Sequence, residues 1–296
     1  MSATAQLDLL VDARNTLGEG VLWCERSRRV YWTDIEGRRL HCLCTASGLC
    51  SEWKLPERLS CFALTQDDGV LLVGLASRLA FFNVGTQVVT DICAVEAGLP
   101  MTRVNDGRCD RQGRFVFGTM DERGARDAIG SFYRLNRDLT LECLPLPHIA
   151  IANSICFSAD GSAMYFCDSV KNIIFRWDGY LCGDAARIAL FADLGSGPAA
   201  PDGATIDADG FLWSAQWGGA RVVRYAPDGS VDRILRLPVS QPSCVCLGGS
   251  LFNELFVTTA RESLSVTMLA DEPLAGGLFH IQLDDVRGLP EVRFGN

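Results

Sequence analysis

Short apolar and aromatic runs, rather than long amphipathic stretches, set the pattern of this chain. Val30-Tyr31-Trp32, Val70-Leu71-Leu72-Val73, Phe115-Val116-Phe117, Met164-Tyr165-Phe166, Phe211-Leu212-Trp213 and Leu255-Phe256-Val257 begin 40, 45, 49, 47 and 44 residues apart. β-Branched and aromatic residues in runs this short predict buried strands. Four of the runs follow a turn signal that ends in glycine: Asp67-Asp68-Gly69, Asp110-Arg111-Gln112-Gly113, Ala159-Asp160-Gly161 and Asp207-Ala208-Asp209-Gly210. A second alternating segment comes after each run, as at Ile173–Trp177 and 222–225, and further turns such as Pro227-Asp228-Gly229 come after several of these. Sustained helical periodicity is hard to find, so each repeat reads as several short strands joined by tight turns.

Six repeats of roughly 45 residues with about four strands each are the sequence form of an all-β, six-bladed β-propeller. Two stacked sandwiches would not require such regular repeats. A ring of blades closes only as a whole, which predicts one domain over residues 1–296. The strand-like Leu7–Val11 is expected to pair with the last blade and close the ring.

Composition narrows the function. Hydrophobic residues make up 48% and charged residues 21% of the chain, which excludes a disordered polymer. The net charge of −9 argues against nucleic acid and against an anionic membrane surface, since both need a surplus of Lys and Arg. Thirteen cysteines suggest disulfides or metal until their spacing is read: the number is odd, no C-x-x-C occurs, and only three histidines accompany them. Small buried thiols are the expectation. Met1 to Leu10 carries no basic start and no long apolar core, and no apolar run reaches the ~18 residues of a membrane span. A cytoplasmic protein is expected.

A propeller brings equivalent positions of its blades together around one channel. About nine to eleven residues before each apolar run, on the expected innermost strand, stand Glu19, Cys61, Asn105, Asn153, Asp202 and Cys244. Four of these six carry oxygen-bearing side chains. Asn-Asp-Gly and Pro-Asp-Gly are also common turn tripeptides, but matching offsets in four repeats point to a shared site. Carboxylates with amide oxygens suit a hard divalent cation such as Ca²⁺, Mg²⁺ or Mn²⁺, and Fe²⁺ and Zn²⁺ tolerate them.

Leu17-Gly18-Glu19-Gly20, Arg103-Val104-Asn105-Asp106-Gly107, Phe117-Gly118-Thr119-Met120, Asn153-Ser154 and Pro201-Asp202-Gly203, with Thr258-Thr259-Ala260-Arg261 and Gly276-Gly277-Leu278-Phe279 near the end, resemble the SMP-30/gluconolactonase/regucalcin family, especially its bacterial sugar lactonases. The resemblance runs through nearly the whole chain in order. It implies a six-bladed propeller with one divalent metal ion held by Glu19, Asn153 and Asp202, and with Arg103 and Asn105 contacting the sugar. An acidic pair that touches substrate in vertebrate members is partly kept as Asp121 and Glu122, with Arg123 and Arg126 added beside it. The implied activity is metal-dependent hydrolysis of a small-molecule sugar lactone to its aldonic acid, with Asp202 as the general base. The alternative is a non-catalytic, calcium-binding regulatory propeller. No G-x-S-x-G is present to suggest a serine hydrolase.

Overall fold

A computed structural model describes residues 7–295. Among them, 24 strands form six antiparallel sheets of four strands each. Five sheets take their strands in chain order, giving blade 1 over 18–54, blade 2 over 59–94, blade 3 over 102–143, blade 4 over 152–193 and blade 5 over 200–236. Blade 6 takes three strands from 242–282 and its fourth from the N-terminus, where Leu7–Val11 pairs antiparallel with Leu278–Gln282. The ring therefore closes as the sequence predicts, and the fold is the expected six-bladed β-propeller.

The recurrent apolar runs are the second strands of the blades. Phe115–Asp121, for example, is buried along its whole length, whereas the outermost strand Leu49–Lys54 is almost wholly exposed. Hydrophobic clusters span neighbouring blades: Val116 and Phe132 of blade 3 pack with Ile155, Phe166 and Trp177 of blade 4. Gly118 is required for this approach, because a Cβ there would stand 2.2 Å from Ala152 Cβ. The turn signals also have a local cause. The Asp110 carboxylate accepts from the backbone of Gln112 and Arg114, and Asp207 accepts from Asp209 and Phe211, each closing a tight turn.

All thirteen cysteines are free, and eight of them are buried, so packing explains most of them. Cys50, Cys143 and Cys182 are exposed and take no part in the core. Among the described residues no helix is long and apolar enough to cross a membrane.

After the last strand the chain runs beneath the ring. Leu283 and Gly288 donate to Asn253 and Phe252 of blade 6, Arg287 accepts from Ala208 of blade 5, and Gly295 donates to Gly113 of blade 3. Phe294 pairs with Thr65 of blade 2, and Arg293 reaches Thr65, Asp68 and Cys24 in blades 1 and 2. Glu291 meets Arg108 at 3.4 Å, and Arg108 crosses to donate to Thr205 Oγ1 at 2.8 Å. These contacts lie at the C-terminal ends of the innermost strands, so the channel is closed there and its chemistry faces the other end.

Candidate active site at the mouth of the channel

Every innermost strand slips register near its start. The slips fall between Glu19 and Leu22, Leu59 and Cys61, Val104 and Gly107, Asn153 and Cys156, Pro201 and Ala204, and Pro242 and Cys244. A β-bulge re-aims the side chains beside it, and Glu19, Asn105, Asn153 and Asp202 all sit at these bulges. In blades 1 and 4 the next residue is left-handed: Gly20 has φ 58° and Ser154 has φ 57°. Blades 2 and 6 differ from the sequence offset. The residue extruded by the bulge is Ser60 or Ser243, while the Cys61 and Cys244 thiols pack into hydrophobic clusters. Gly107 and Gly203 make room for them, since a Cβ would meet Cys61 Sγ at 3.0 Å and Cys244 Sγ at 2.5 Å respectively.

The polar groups form one chain of hydrogen bonds. Arg103 Nη1 donates to Asn105 Oδ1 at 2.5 Å, and Asn105 Nδ2 donates to Asn153 Oδ1 and to Ala152 O, both at 2.9 Å. Asn153 Nδ2 donates to Ser169 Oγ at 2.9 Å, and Ser169 Oγ donates to Pro201 O at 2.7 Å. This network fixes both amides. Each amide oxygen accepts one hydrogen bond, Asn105 Oδ1 from Arg103 and Asn153 Oδ1 from Asn105, and keeps a second lone pair.

The Glu19 and Asp202 carboxyls lie close enough to influence each other's ionisation. Burial pushes the Glu19 carboxyl up and the nearby Asp106 charge adds to this; burial and then the Glu19 charge push Asp202 well up. Two carboxylates this close in a poorly solvated site cannot both ionise without a cation between them. A divalent ion satisfies both charges and accepts the Asn153 amide oxygen as a third donor, so the residues present fit a hard metal. Among the described residues no three His, Cys, Asp or Glu side chains group as a metal site; the set here is two carboxylates and an amide.

Glu19, Arg103, Asn105, Asn153 and Asp202 line a single cavity of about 350 Å³, with Leu17, Ile35, Met120, Ile151 and Trp217 as its apolar walls. Asp121 and Glu122 are not part of that lining. The Asp121 carboxylate is enclosed and accepts from Arg123 and from the Asp127 backbone, which holds it low, at about 2. Glu122 turns to Arg58 and, at 3.6 Å, to Arg103. Arg103 itself is pulled below its usual value by burial, with Glu122 opposing the shift.

Sequence reasoning passed over several lining residues. Ser169, Gln241 and Glu262 also face the cavity, from the ends of strands and the loops between them, as does Arg126, which the sequence places beside the acidic pair. Asp106 was hidden inside an Asn-Asp-Gly turn signal. In the structure it is a buried carboxylate that accepts from Ile155 N at 2.7 Å and Gly107 N at 2.8 Å.

The sequence model of the SMP-30/Gluconolactonase/LRE-like region matches residues 17–261. The L-arabinolactonase of Azospirillum brasilense is 54% identical over 98% of this chain and 95% of its own length. The 6-deoxy-6-sulfogluconolactonase of Pseudomonas putida is 32% identical over 97% of this chain and 98% of its own. Among solved structures, a calcium-binding regucalcin from Agrobacterium tumefaciens superposes with a TM-score of 0.89 at 31% identity, covering 97% of this chain and 96% of that one. With the fold, the motifs and the family match in agreement, the chain belongs to the SMP-30/gluconolactonase/LRE-like family.

Proposed function

We propose that this protein is a sugar lactonase that hydrolyses an aldonolactone to its aldonic acid, with L-arabinonolactone as its substrate and one divalent metal as its cofactor. The observation that carries the reading is the pairing of Glu19, Asn153 and Asp202 with Arg103 and Asn105 around one small cavity. The 54% identity to an L-arabinolactonase supports the choice of sugar. The cavity suits a monosaccharide lactone, being at the small end of ligand sites.

Glu19, Asn153 and Asp202 would hold the metal, which when bound supplies Lewis-acid polarisation of the lactone carbonyl and a more acidic water. Asp202 accepts the proton of the attacking water as general base. Arg103, buried and braced by Glu122, presents its guanidinium to the ring oxygen and hydroxyls. Asn105 holds Arg103 and Asn153 in register, so the substrate wall and the metal side move as one body. The apolar walls limit water around the reacting ester, which strengthens each polar contact inside.

A purely calcium-binding role would leave the buried Arg103 and the apolar walls without a task. The test is acid release from a panel of aldonolactones in weak buffer, with and without chelator. Metal-dependent hydrolysis, fastest on L-arabinonolactone, is expected, and Asp202→Ala should abolish it. Absence of metal-dependent acid release from every lactone would overturn the reading.

A further inference from the structure

Two loops at the mouth are longer than their counterparts in the other blades. One links Phe115–Asp121 to Phe132–Leu135 in blade 3, and the other links Glu254–Thr259 to Leu278–Gln282 in blade 6. Each puts one charged side chain into the cavity lining, Arg126 from the first and Glu262 from the second. Both are half-buried. Among the described residues, the Arg126 guanidinium has one hydrogen bond, from Nη1 to the Asp121 carbonyl, and no ion pair. The Glu262 carboxylate has neither, although its backbone carbonyl is fixed by Gln241 Nε2 at 2.9 Å.

The backbone that carries each side chain is held in place. Arg123 and the Asp127 backbone clasp the Asp121 carboxylate, making the tight turn that carries Arg126 at φ 51°. Thr16 O accepts from both Arg261 N and Glu262 N, fixing the start of the second loop. Glu262 feels Glu36 as a repulsion and Arg103, Arg126 and Arg58 as attractions, yet pairs with none of them. Two opposite charges that face one cavity and do not close on each other leave a gap that a ligand can bridge.

Charge balance says what kind of ligand. Of the five charged residues in the lining, Glu19 and Asp202 are answered by a divalent cation, and Arg103 by Glu122. Arg126 and Glu262 remain, and they sum to zero. A hydroxyl suits both at once, since it accepts from a guanidinium and donates to a carboxylate.

We propose that Arg126 and Glu262 form a hydroxyl clamp that binds the neutral, hydroxylated end of the lactone remote from its carbonyl, and that Glu262 excludes lactones bearing an acidic group there. This rests on the lactonase reading, but it makes a binding claim that does not require turnover. The test uses 1,4-anhydroarabinitol, which keeps the ring hydroxyls and lacks the reacting carbonyl. Its affinity is measured by calorimetry on metal-loaded wild type, Glu262→Gln, Arg126→Met and the double variant. Glu262→Gln preserves shape, Arg126→Met keeps the aliphatic stem, and thermal melting checks that each is folded.

Each single variant should weaken binding about tenfold, and the double variant by less than the product of the two, as expected for one hydroxyl shared between them. On L-arabinonolactone the variants should raise KM with kcat little changed. Glu262→Gln should also narrow the preference for L-arabinonolactone over the anionic glucaro-1,4-lactone by about tenfold. Unchanged anhydroarabinitol affinity in either single variant, or no binding by wild type, would overturn the clamp. Binding that follows the clamp pattern in a protein that hydrolyses no lactone would uphold it and overturn the lactonase reading instead.

Discussion

Asn105 donates its amide hydrogen to Asn153 Oδ1 at 2.9 Å, which joins the substrate-facing wall of blade 3 to the oxygen donors of blade 4. The same nitrogen holds Ala152 O, and the amide oxygen takes Arg103 Nη1. Asn105 is therefore a joint between the proposed substrate wall and the proposed metal ligands. Asn105→Ala leaves the Asn153 oxygen free to turn and Arg103 without its brace. Metal affinity should fall about 10–100-fold, as it does when outer partners of metal ligands are removed, and kcat/KM should fall with it. Metal titration followed by steady-state kinetics checks this. A variant that binds metal as wild type does would remove the joint.

Much of this was legible in the sequence, for a physical reason. A propeller repeats one strand pattern, so the spacing of runs such as Phe115-Val116-Phe117 and Met164-Tyr165-Phe166 reports the blades directly, and equal offsets report the channel. The offset failed by one residue in blades 2 and 6, because bulges extrude Ser60 and Ser243 there rather than Cys61 and Cys244. A one-residue slip is invisible to periodicity and reverses which side chain faces inward. Asp121 and Glu122 look acidic and close to the site in sequence, yet salt bridges to Arg123, Arg58 and Arg103 occupy them. Glu262 carries no local signal, because its place in the cavity depends on a loop from blade 6 folding over the mouth.

Metal removal should leave a pH signature. In the metal-free protein Glu19 is raised from 4.5 to about 8, chiefly by burial. A raised carboxyl is favourable in the folded state while protonated, so its contribution is complete below the ordinary value and is lost as pH rises through the folded one. Metal-free protein should therefore melt lower at about pH 9 than at about pH 6, and added divalent cation should raise the melting temperature more at the higher pH. Differential scanning fluorimetry with and without chelator measures both. An equal metal effect at the two pH values would remove the coupled carboxyls as the origin.

Ser154 is a non-glycine residue at φ 57°, fully buried, and its hydroxyl donates to Asp202 O at 2.5 Å. Left-handed backbone costs an L-residue about 1 kcal/mol or more, while the lost hydrogen bond costs a similar amount. Ser154→Ala keeps the strain and loses the bond, whereas Ser154→Gly loses the bond and releases the strain. Glycine should be the milder change, with alanine the less stable by about 1 kcal/mol in urea unfolding. The reverse order would mean that the backbone at this bulge relaxes when the hydroxyl is gone.

The closed end of the channel should matter for stability and not for chemistry. Glu291 and Arg108 pair at 3.4 Å with side chains only 11% and 12% exposed. Burial alone would lower the Arg108 guanidinium, and the Glu291 charge is the largest of the influences that raise it instead. Glu291→Gln leaves that guanidinium in the ring with Thr205 Oγ1 as its remaining hydrogen-bond partner. Removing one partner of a buried pair costs about 3 kcal/mol, so the unfolding midpoint should fall clearly. The proposed metal and substrate residues lie at the opposite ends of the same strands, so kcat and KM measured well below the melting temperature should stay close to wild type. A variant with normal stability would show that the C-terminal strap does not lock the ring. One with normal stability and lost activity would place Arg108 in the chemistry of the mouth.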